Sequence, residues 1–94
     1  MIERYTLPEM KKVWDLQNRF QFMKEVELAV AKVQARYKII PRKAALEIEK
    51  KAKFNIDRIA EIEAETKHDV IAFVSNMAEN VGEMGKYIHY GLTS

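Results

Sequence analysis

Residues 70–82, VIAFVSNMAENVG, carry the most regular helical pattern in the chain. Apolar residues recur there at intervals of three or four positions, which is the spacing on the buried face of an amphipathic helix. They are Val70, Phe73, Val74, Met77, Ala78 and Val81. Gly82 follows directly and suits a helix C-cap, because glycine adopts the left-handed backbone that ends many helices. The segment predicts one helix over residues 70–81.

Helical spacing also covers most of the chain before residue 70. Pro8 suits a first helical turn, so a short helix is predicted over residues 8–16, and Asn18 is the candidate N-cap of a longer one. That longer helix carries an apolar stripe that we expect to lie in the core: Phe22, Val26, Ala29, Val30, Val33 and Tyr37. Pro41 begins a further helix over residues 41–52, and another short helix is predicted over residues 56–65.

Little in the sequence favours β-structure. All three glycines follow residue 81, and no β-type alternation of useful length occurs before Tyr87. We therefore predict an all-α fold, a compact cluster of about five helices with an irregular C-terminal tail. No internal repeat, low-complexity segment or linker divides the sequence. Residues 1–94 are predicted to form one domain or one part of a domain.

The composition argues against several classes of protein. With 48% hydrophobic and 32% charged residues, the chain resembles a soluble globular protein. No apolar run approaches the roughly 18 residues of a membrane-spanning helix, and the N-terminus lacks the apolar segment of a secretory signal. The net charge of +2 comes without a nucleic-acid-binding motif, and the chain has no cysteine and only two histidines. We expect a cytoplasmic protein with no metal, no other cofactor, and neither nucleic acid nor membrane as a partner.

The first candidate site lies in ERYTLP, residues 3–8. Arg4 and Tyr5 precede the first helix, and a guanidinium beside a phenol offers several directed donors to an anion. The alternative is a frayed terminus whose arginine stem covers apolar surface. The residues alone leave both interpretations open.

The second candidate site lies in ETKHDV, residues 65–70, between two predicted helices. Lys67, His68 and Asp69 fall at or beside the N-terminus of the helix that begins near Val70, where free backbone N–H groups and the helix dipole favour an anion such as phosphate. Asp69 is equally explained as an ordinary first-turn acid, with His68 a surface residue beside it.

The third candidate site is the last segment, KYIHYGLTS, residues 86–94. His89 is one of the two histidines, and Thr93 and Ser94 supply hydroxyls after a glycine that allows close backbone approach to a ligand. A catalytic Ser/His/Asp triad does not follow, because such triads are recognised by geometry and not by the presence of the residue types.

Several motifs in one order give the chain a family resemblance. They are MIERY at residues 1–5, NRFQ at 18–21, FNIDRI at 54–59, HDV at 68–70 and HYGLTS at 89–94. Together they resemble the N-terminal domain of the bacterial adenylosuccinate lyase family, within the fumarase/aspartase superfamily. The resemblance covers essentially all 94 positions. It implies a fragment that is truncated before the central domain of long bundled helices.

The resemblance also implies a reaction. Members of this family eliminate fumarate from adenylosuccinate to give AMP, and from the succinyl-carboxamide ribotide SAICAR to give AICAR, both in purine biosynthesis. A base removes a proton next to a carboxylate and an acid protonates the leaving nitrogen. The family's sites are assembled from three subunits of a homotetramer. The fragment alone is expected to be inactive, because the main acid and base lie outside it.

Two of the candidate segments match family residues that contact substrate. Arg4 and Tyr5 match an Arg-Tyr pair at the nucleotide. Lys67, His68 and Asp69 match an Arg-His-Asp stretch at the substrate, in which His68 would be an acid or a substrate-positioning residue. Lys67 departs from the usual arginine, and so keeps the charge but loses the planar bidentate fork.

The tail matches the family as well. His89 corresponds to the histidine on the phosphate side of the substrate. Thr93 and Ser94 correspond to the hydroxyl pair that binds the succinyl or fumaryl carboxylate.

Two alternatives stay open at this point. One is another lyase of the superfamily, of the argininosuccinate lyase or carboxymuconate cycloisomerase type, although HDV together with HYGLTS favours the adenylosuccinate branch. The other is a non-catalytic helical interaction module, which predicts a natural stop after Ser94.

Overall fold

A computed structural model of the chain describes residues 7–91, and every regular element in that range is helical. The elements are α1 (Leu7–Arg36), α2 (Arg42–Lys51), α3 (Ile56–Thr66) and α4 (Asp69–Val81), followed by a 3₁₀ helix at Glu83–Tyr87. The all-α prediction is confirmed. Four α-helices and one 3₁₀ helix come close to the expected five helices.

The predicted break in the first helix is wrong. Helix α1 runs for 30 residues without interruption, and Asn18 is an exposed residue inside it and not a cap. Asparagine in a helix interior costs only a few tenths of a kcal/mol relative to alanine. Packing of the neighbouring Phe20, which is 5% exposed, offsets that cost, so the helix continues past Asn18.

The apolar stripe that was predicted to be core lies mainly on the solvent side of α1. Phe22 and Tyr37 are 69% and 72% exposed, and Val26 and Val33 are close to half exposed. The core side of α1 is the roughly opposite face, where the buried or partly buried residues are Leu16, Phe20, Met23, Leu28, Ala31 and Ala35. Helix α1 therefore has two apolar faces, of which the described residues cover one.

The core is organised around α4. The rings of Phe20 and Phe73 stack with centroids 5.3 Å apart, and Phe54 lies edge-on to Phe20 at 5.9 Å. Phe73 and Met77 of α4 are fully buried, as is Ile59 of α3. The predicted helix over residues 70–81 is thus confirmed as a core element, with Asp69 as its first residue.

A buried polar network joins α3 to α4. Asn76 is 3% exposed, and its Oδ1 accepts a hydrogen bond of 2.6 Å from the backbone N–H of Asn55. Asn55 is the N-cap of α3, where its side chain accepts from the N–H of Arg58. The Arg58 guanidinium donates to Glu79 on α4 and holds the pKa of that carboxyl below its usual range. The network fixes the position of α3 against α4.

Two glycines shape the chain after α4. Gly82 has φ 90° and is the C-cap of α4, as predicted. At Gly85 a Cβ atom would lie 2.6 Å from the carbonyl oxygen of Ala78, so only glycine allows the 3₁₀ helix to pack this closely on α4. The buried Ile88 follows, and this close packing brings the tail with His89 back to the body of the molecule.

Candidate functional site

The turn between α3 and α4 presents the first group of candidate residues. Lys67 is the C-cap of α3, and its N–H donates a hydrogen bond of 2.7 Å to the carbonyl of Glu63. Its φ is 58°, a left-handed conformation that costs a side-chain-bearing residue about 1–2 kcal/mol. The turn places Lys67 on the surface and starts α4 two residues later. Lys67, His68 and Asp69 therefore lie at the helix N-terminus, as predicted.

His68 is the N-cap of α4. Its Nδ1 accepts a hydrogen bond of 3.2 Å from the backbone N–H of Ile71, which requires a lone pair on that nitrogen. The same nitrogen lies 4.0 Å from a carboxylate oxygen of Asp69, but an ion pair there would need Nδ1 to be protonated. The shorter capping bond determines the tautomer. Neutral His68 thus carries its ring proton on Nε2, away from the helix.

Asp69 is the first residue of α4 and is held by two donors. Its Oδ2 accepts a hydrogen bond of 2.8 Å from the Arg19 guanidinium on α1, and its Oδ1 accepts from the N–H of Val70. The bond from Arg19, and then the bond from Val70, hold the pKa of Asp69 below its usual range. The carboxylate stays ionised at neutral pH and ties the start of α4 to α1.

The described part of the tail brings His89 against α1. The Nδ1 of His89 lies 2.7 Å from Oε2 of Glu27, and the two side chains are 21% and 10% exposed. Gln34, two helical turns further along α1, donates a hydrogen bond of 2.8 Å to the carbonyl of Tyr90. Two polar side chains of α1 therefore hold residues 89 and 90 in place.

The sequence patterns did not identify Arg19, Glu27 and Gln34 as partners of the candidate residues. The signal for Glu27 and Gln34 lies in the row Phe20, Met23, Glu27, Ala31 and Gln34, which follows helical spacing along the core side of α1. Polar residues in a row of buried positions indicate a buried partner. The signal was hidden because the opposite, exposed stripe looked more apolar.

Helix α1 supports both groups of candidate residues. Arg19 holds Asp69 and Glu27 holds His89, and these anchors are eight positions apart, or about 12 Å along the helix axis. Within residues 7–91, the non-glycine residues with positive φ are Lys38, Lys67 and His89. Two of those three are candidate site residues, and backbone strain of this kind is concentrated at functional sites.

Four candidate residues, Arg4, Tyr5, Thr93 and Ser94, lie outside the described residues. Across residues 7–91, no three His, Cys, Asp or Glu side chains come together in a way that could hold a metal ion. In the same range, no helix has both the length and the apolar character needed to cross a bilayer.

Known sequences that resemble this chain share one name. No protein-family model matches the chain. Adenylosuccinate lyase of Synechocystis is 55% identical over 94 residues, and that of Bacillus subtilis is 46% identical over 94 residues; each match covers 100% of this chain and 22% of the relative. Adenylosuccinate lyase of Methanocaldococcus jannaschii is 48% identical over 95 residues, covering 97% of this chain and 21% of the relative. The chain thus spans about a fifth of the length of these curated relatives.

A solved structure has the same fold. The crystal structure of a fumarate lyase from Mesorhizobium superimposes with a TM-score of 0.76 at 28% sequence identity. The match covers 93% of this chain and 21% of that one. The sequence relatives and the solved structure each extend well beyond the part that this chain matches.

Proposed function

We propose that this chain, which is homologous along its whole length to adenylosuccinate lyases, supplies part of the substrate site of such an enzyme. The observation that carries the proposal is identity of 44–55% to proteins of that one name, across essentially all 94 residues. The intact protein eliminates fumarate from adenylosuccinate to give AMP, and from SAICAR to give AICAR. It does so without a cofactor, as a cytoplasmic homotetramer.

The 94 residues form the N-terminal helical domain of that enzyme, and a central domain of long bundled helices follows them. Coverage of 21–22% of each relative supports a larger enzyme of which this chain is one part. The exposed apolar stripe of α1 supports it too, because a face carrying Phe22, Val26, Val33 and Tyr37 is suited to contact with another domain. The occupant is the central domain of the same polypeptide. The 94-residue chain alone lacks the main acid and base and is inactive.

The reaction is a β-elimination. A base removes a proton from the carbon next to a carboxylate, the electron pair forms the double bond of fumarate, and the C–N bond breaks. The leaving nitrogen takes a proton from an acid. Negative charge builds up on the carboxylate side during this step, so fixed donors and cations lower the barrier. This chain contributes such groups.

The start of α4 contributes to substrate binding. His68 is oriented by its capping bond so that Nε2 carries the ring proton, and it donates that proton or a hydrogen bond to the substrate. Lys67 adds an exposed positive charge beside it, and Asp69 belongs to the same group. Arg4 and Tyr5 contact the nucleotide. Support for these roles is the match of these stretches to the family motifs, from which Lys67 departs by keeping the charge of the usual arginine without its planar fork.

The tail binds the two ends of the substrate that carry negative charge. His89 contacts the phosphate, while Thr93 and Ser94 bind the succinyl or fumaryl carboxylate. The left-handed backbone at His89 and the buried bond to Glu27 support a role for this ring beyond packing.

The test is fumarate release from adenylosuccinate, followed by ultraviolet absorbance, with the 94-residue chain and with the intact protein encoded by its gene. Activity of the intact protein alone is the expected result. If the intact protein is folded and tetrameric but inactive, the proposal fails for this substrate. Argininosuccinate and carboxymuconate, the substrates of the two alternative members of the superfamily, would then be assayed.

A further inference from the structure

A carboxylate lies where α1 is otherwise buried against apolar neighbours. The side chain of Glu27 is 10% exposed and belongs to the same helix face as Phe20, Met23 and Ala31. A buried charge is costly unless it is fully paired, and an apolar residue of similar size would serve packing better. Within residues 7–91, Oε1 of Glu27 has no hydrogen-bond partner. Packing alone does not account for this residue.

The partner of Glu27 is the ring of His89. Its Nδ1 lies 2.7 Å from Oε2 of Glu27, so the proton on that bond belongs to Nδ1, which donates to the carboxylate. A neutral ring with its proton on Nδ1 makes this bond, and so does a doubly protonated ring. Glu27 therefore fixes both the tautomer and the plane of the imidazole.

The other ring nitrogen is left for a ligand. Within the described range, His89 Nε2 is buried and has no hydrogen-bond partner. Because the two nitrogens lie on different sides of the ring, the bond to Glu27 aims Nε2 away from α1. The hydrogen bond from Gln34 to the carbonyl of Tyr90 holds the next residue, so backbone and ring are each fixed from α1. In the doubly protonated ring, Nε2–H is a charged donor suited to a phosphate oxygen.

We propose that Glu27 is the positioning residue of His89, and that it sets the affinity of the intact enzyme for the phosphate group of its substrate. The inference rests on the proposed function, since it takes His89 as the phosphate contact. Glu27 does not touch the substrate. It acts by keeping the Nε2–H of His89 directed at the phosphate.

The experiment compares Glu27→Leu and Glu27→Gln in the intact enzyme with two substrates: adenylosuccinate and its nucleoside, which lacks the phosphate. Glu27→Leu should raise KM for adenylosuccinate by about tenfold or more, comparable with the roughly 10- to 100-fold loss seen when the partner that orients a metal-bound histidine is removed, with a much smaller change in kcat. For the nucleoside, kcat/KM should not change. Glu27→Gln keeps an oxygen that accepts from Nδ1–H and should restore part of the affinity, since an amide is a weaker acceptor than a carboxylate.

Controls separate positioning from stability. Glu25→Leu changes an exposed carboxylate on the same helix and should leave KM unchanged. In a His89→Ala background, Glu27→Leu should add no further loss, since the two residues act as one unit. The melting temperature of Glu27→Leu should fall, because the ring N–H of His89 then loses its acceptor, so KM is measured well below the melting temperature of each variant.

Two outcomes overturn the inference, and they are distinguishable. An unmutated enzyme that releases no fumarate from adenylosuccinate overturns the proposed function, and this role with it. An active enzyme in which Glu27→Leu raises KM equally for both substrates, or not at all, overturns the role of Glu27 alone.

Discussion

Lys67 and His89 adopt a backbone conformation that glycine would adopt at less cost. Their φ angles are 58° and 61°, whereas Gly82 and Gly91 occupy positive φ nearby without a side-chain penalty. Among the described residues the chain uses glycine at two such positions and accepts strain at three, Lys38, Lys67 and His89. Two of these three carry side chains that are proposed to bind substrate, which is where strain is expected to persist.

Arg19 should control the titration of Asp69. The pKa of Asp69 is lowered mainly by the hydrogen bond from Arg19, so Arg19→Gln should raise it toward its ordinary value. A lowered pKa in the folded state stabilises the fold above the unfolded-state pKa, and this stabilisation is lost as the pH falls through the folded-state pKa. The variant should therefore lose stability at pH 7 and depend less on pH in the acidic range.

Carboxyl NMR titration of Asp69 and urea unfolding at pH 7 and pH 3 measure these two effects. Lys12→Gln, which alters an exposed lysine on the same helix, is the matched control and should leave the Asp69 titration unchanged. An Asp69 curve in Arg19→Gln that overlays the unmutated curve would show that Arg19 does not set this pKa.

Helices α2, α3 and α4 agree closely with the sequence predictions. Residues 41–52, 56–65 and 70–81 were expected, and Arg42–Lys51, Ile56–Thr66 and Asp69–Val81 are observed. In each case a local start or stop signal, such as Pro41 or Gly82, coincides with a single apolar face. Where local signals and packing agree, the sequence is sufficient to predict the element.

Helix α1 shows why the rest was not predictable. Asn18 is compatible with a cap and with a helix interior, and only the packing of its neighbours decides between them. Its two apolar faces give the same periodicity, so the pattern does not identify the core side. The same limit applies to the site. His68 and Asp69 were placed correctly by local signals, whereas the pairing of Glu27 with His89 depends on a contact 62 residues apart in sequence.

Asn76 should contribute to the free energy of unfolding through the contact between α3 and α4. Asn76→Ala removes the acceptor for the backbone N–H of Asn55 and leaves that donor without its partner. The expected loss is about 1–3 kcal/mol in the free energy of unfolding. Chemical denaturation measures it, with Glu65→Ala, at an exposed position of α3, as a control that should change stability much less. A loss below that of the control would mean that the network does not hold the two helices together.

The molecule as a whole exposes the apolar stripe of α1, which no other described residues cover. We expect the 94-residue chain alone to self-associate through the exposed stripe on α1, because the domain proposed to cover it is absent. Sedimentation velocity should show an average mass that rises with concentration. Combined Phe22→Gln and Val33→Gln substitutions should restore a monomer, while Ala60→Gln on α3 should not. A monodisperse monomer of the unmutated chain at high concentration would refute this expectation.

The large sequence separation between Glu27 and His89 affects the order in which the domain folds during synthesis. At about 5–20 residues per second, a ribosome needs roughly 3–12 s to add the 62 residues that separate Glu27 from His89. Early in that interval α1 has both apolar faces bare, and helices α2 to α4 then supply the residues that cover its core side. Glu27 has no histidine partner until residue 89 is added. The tail is the last of the described parts to dock, so the pairing that orients His89 forms at the end of folding. A nascent chain stalled just before residue 89 would already hold Phe54 and Phe73 against the core side of α1, but would leave Glu27 without His89 and the outer apolar stripe exposed, as a target for chaperones that bind apolar helices.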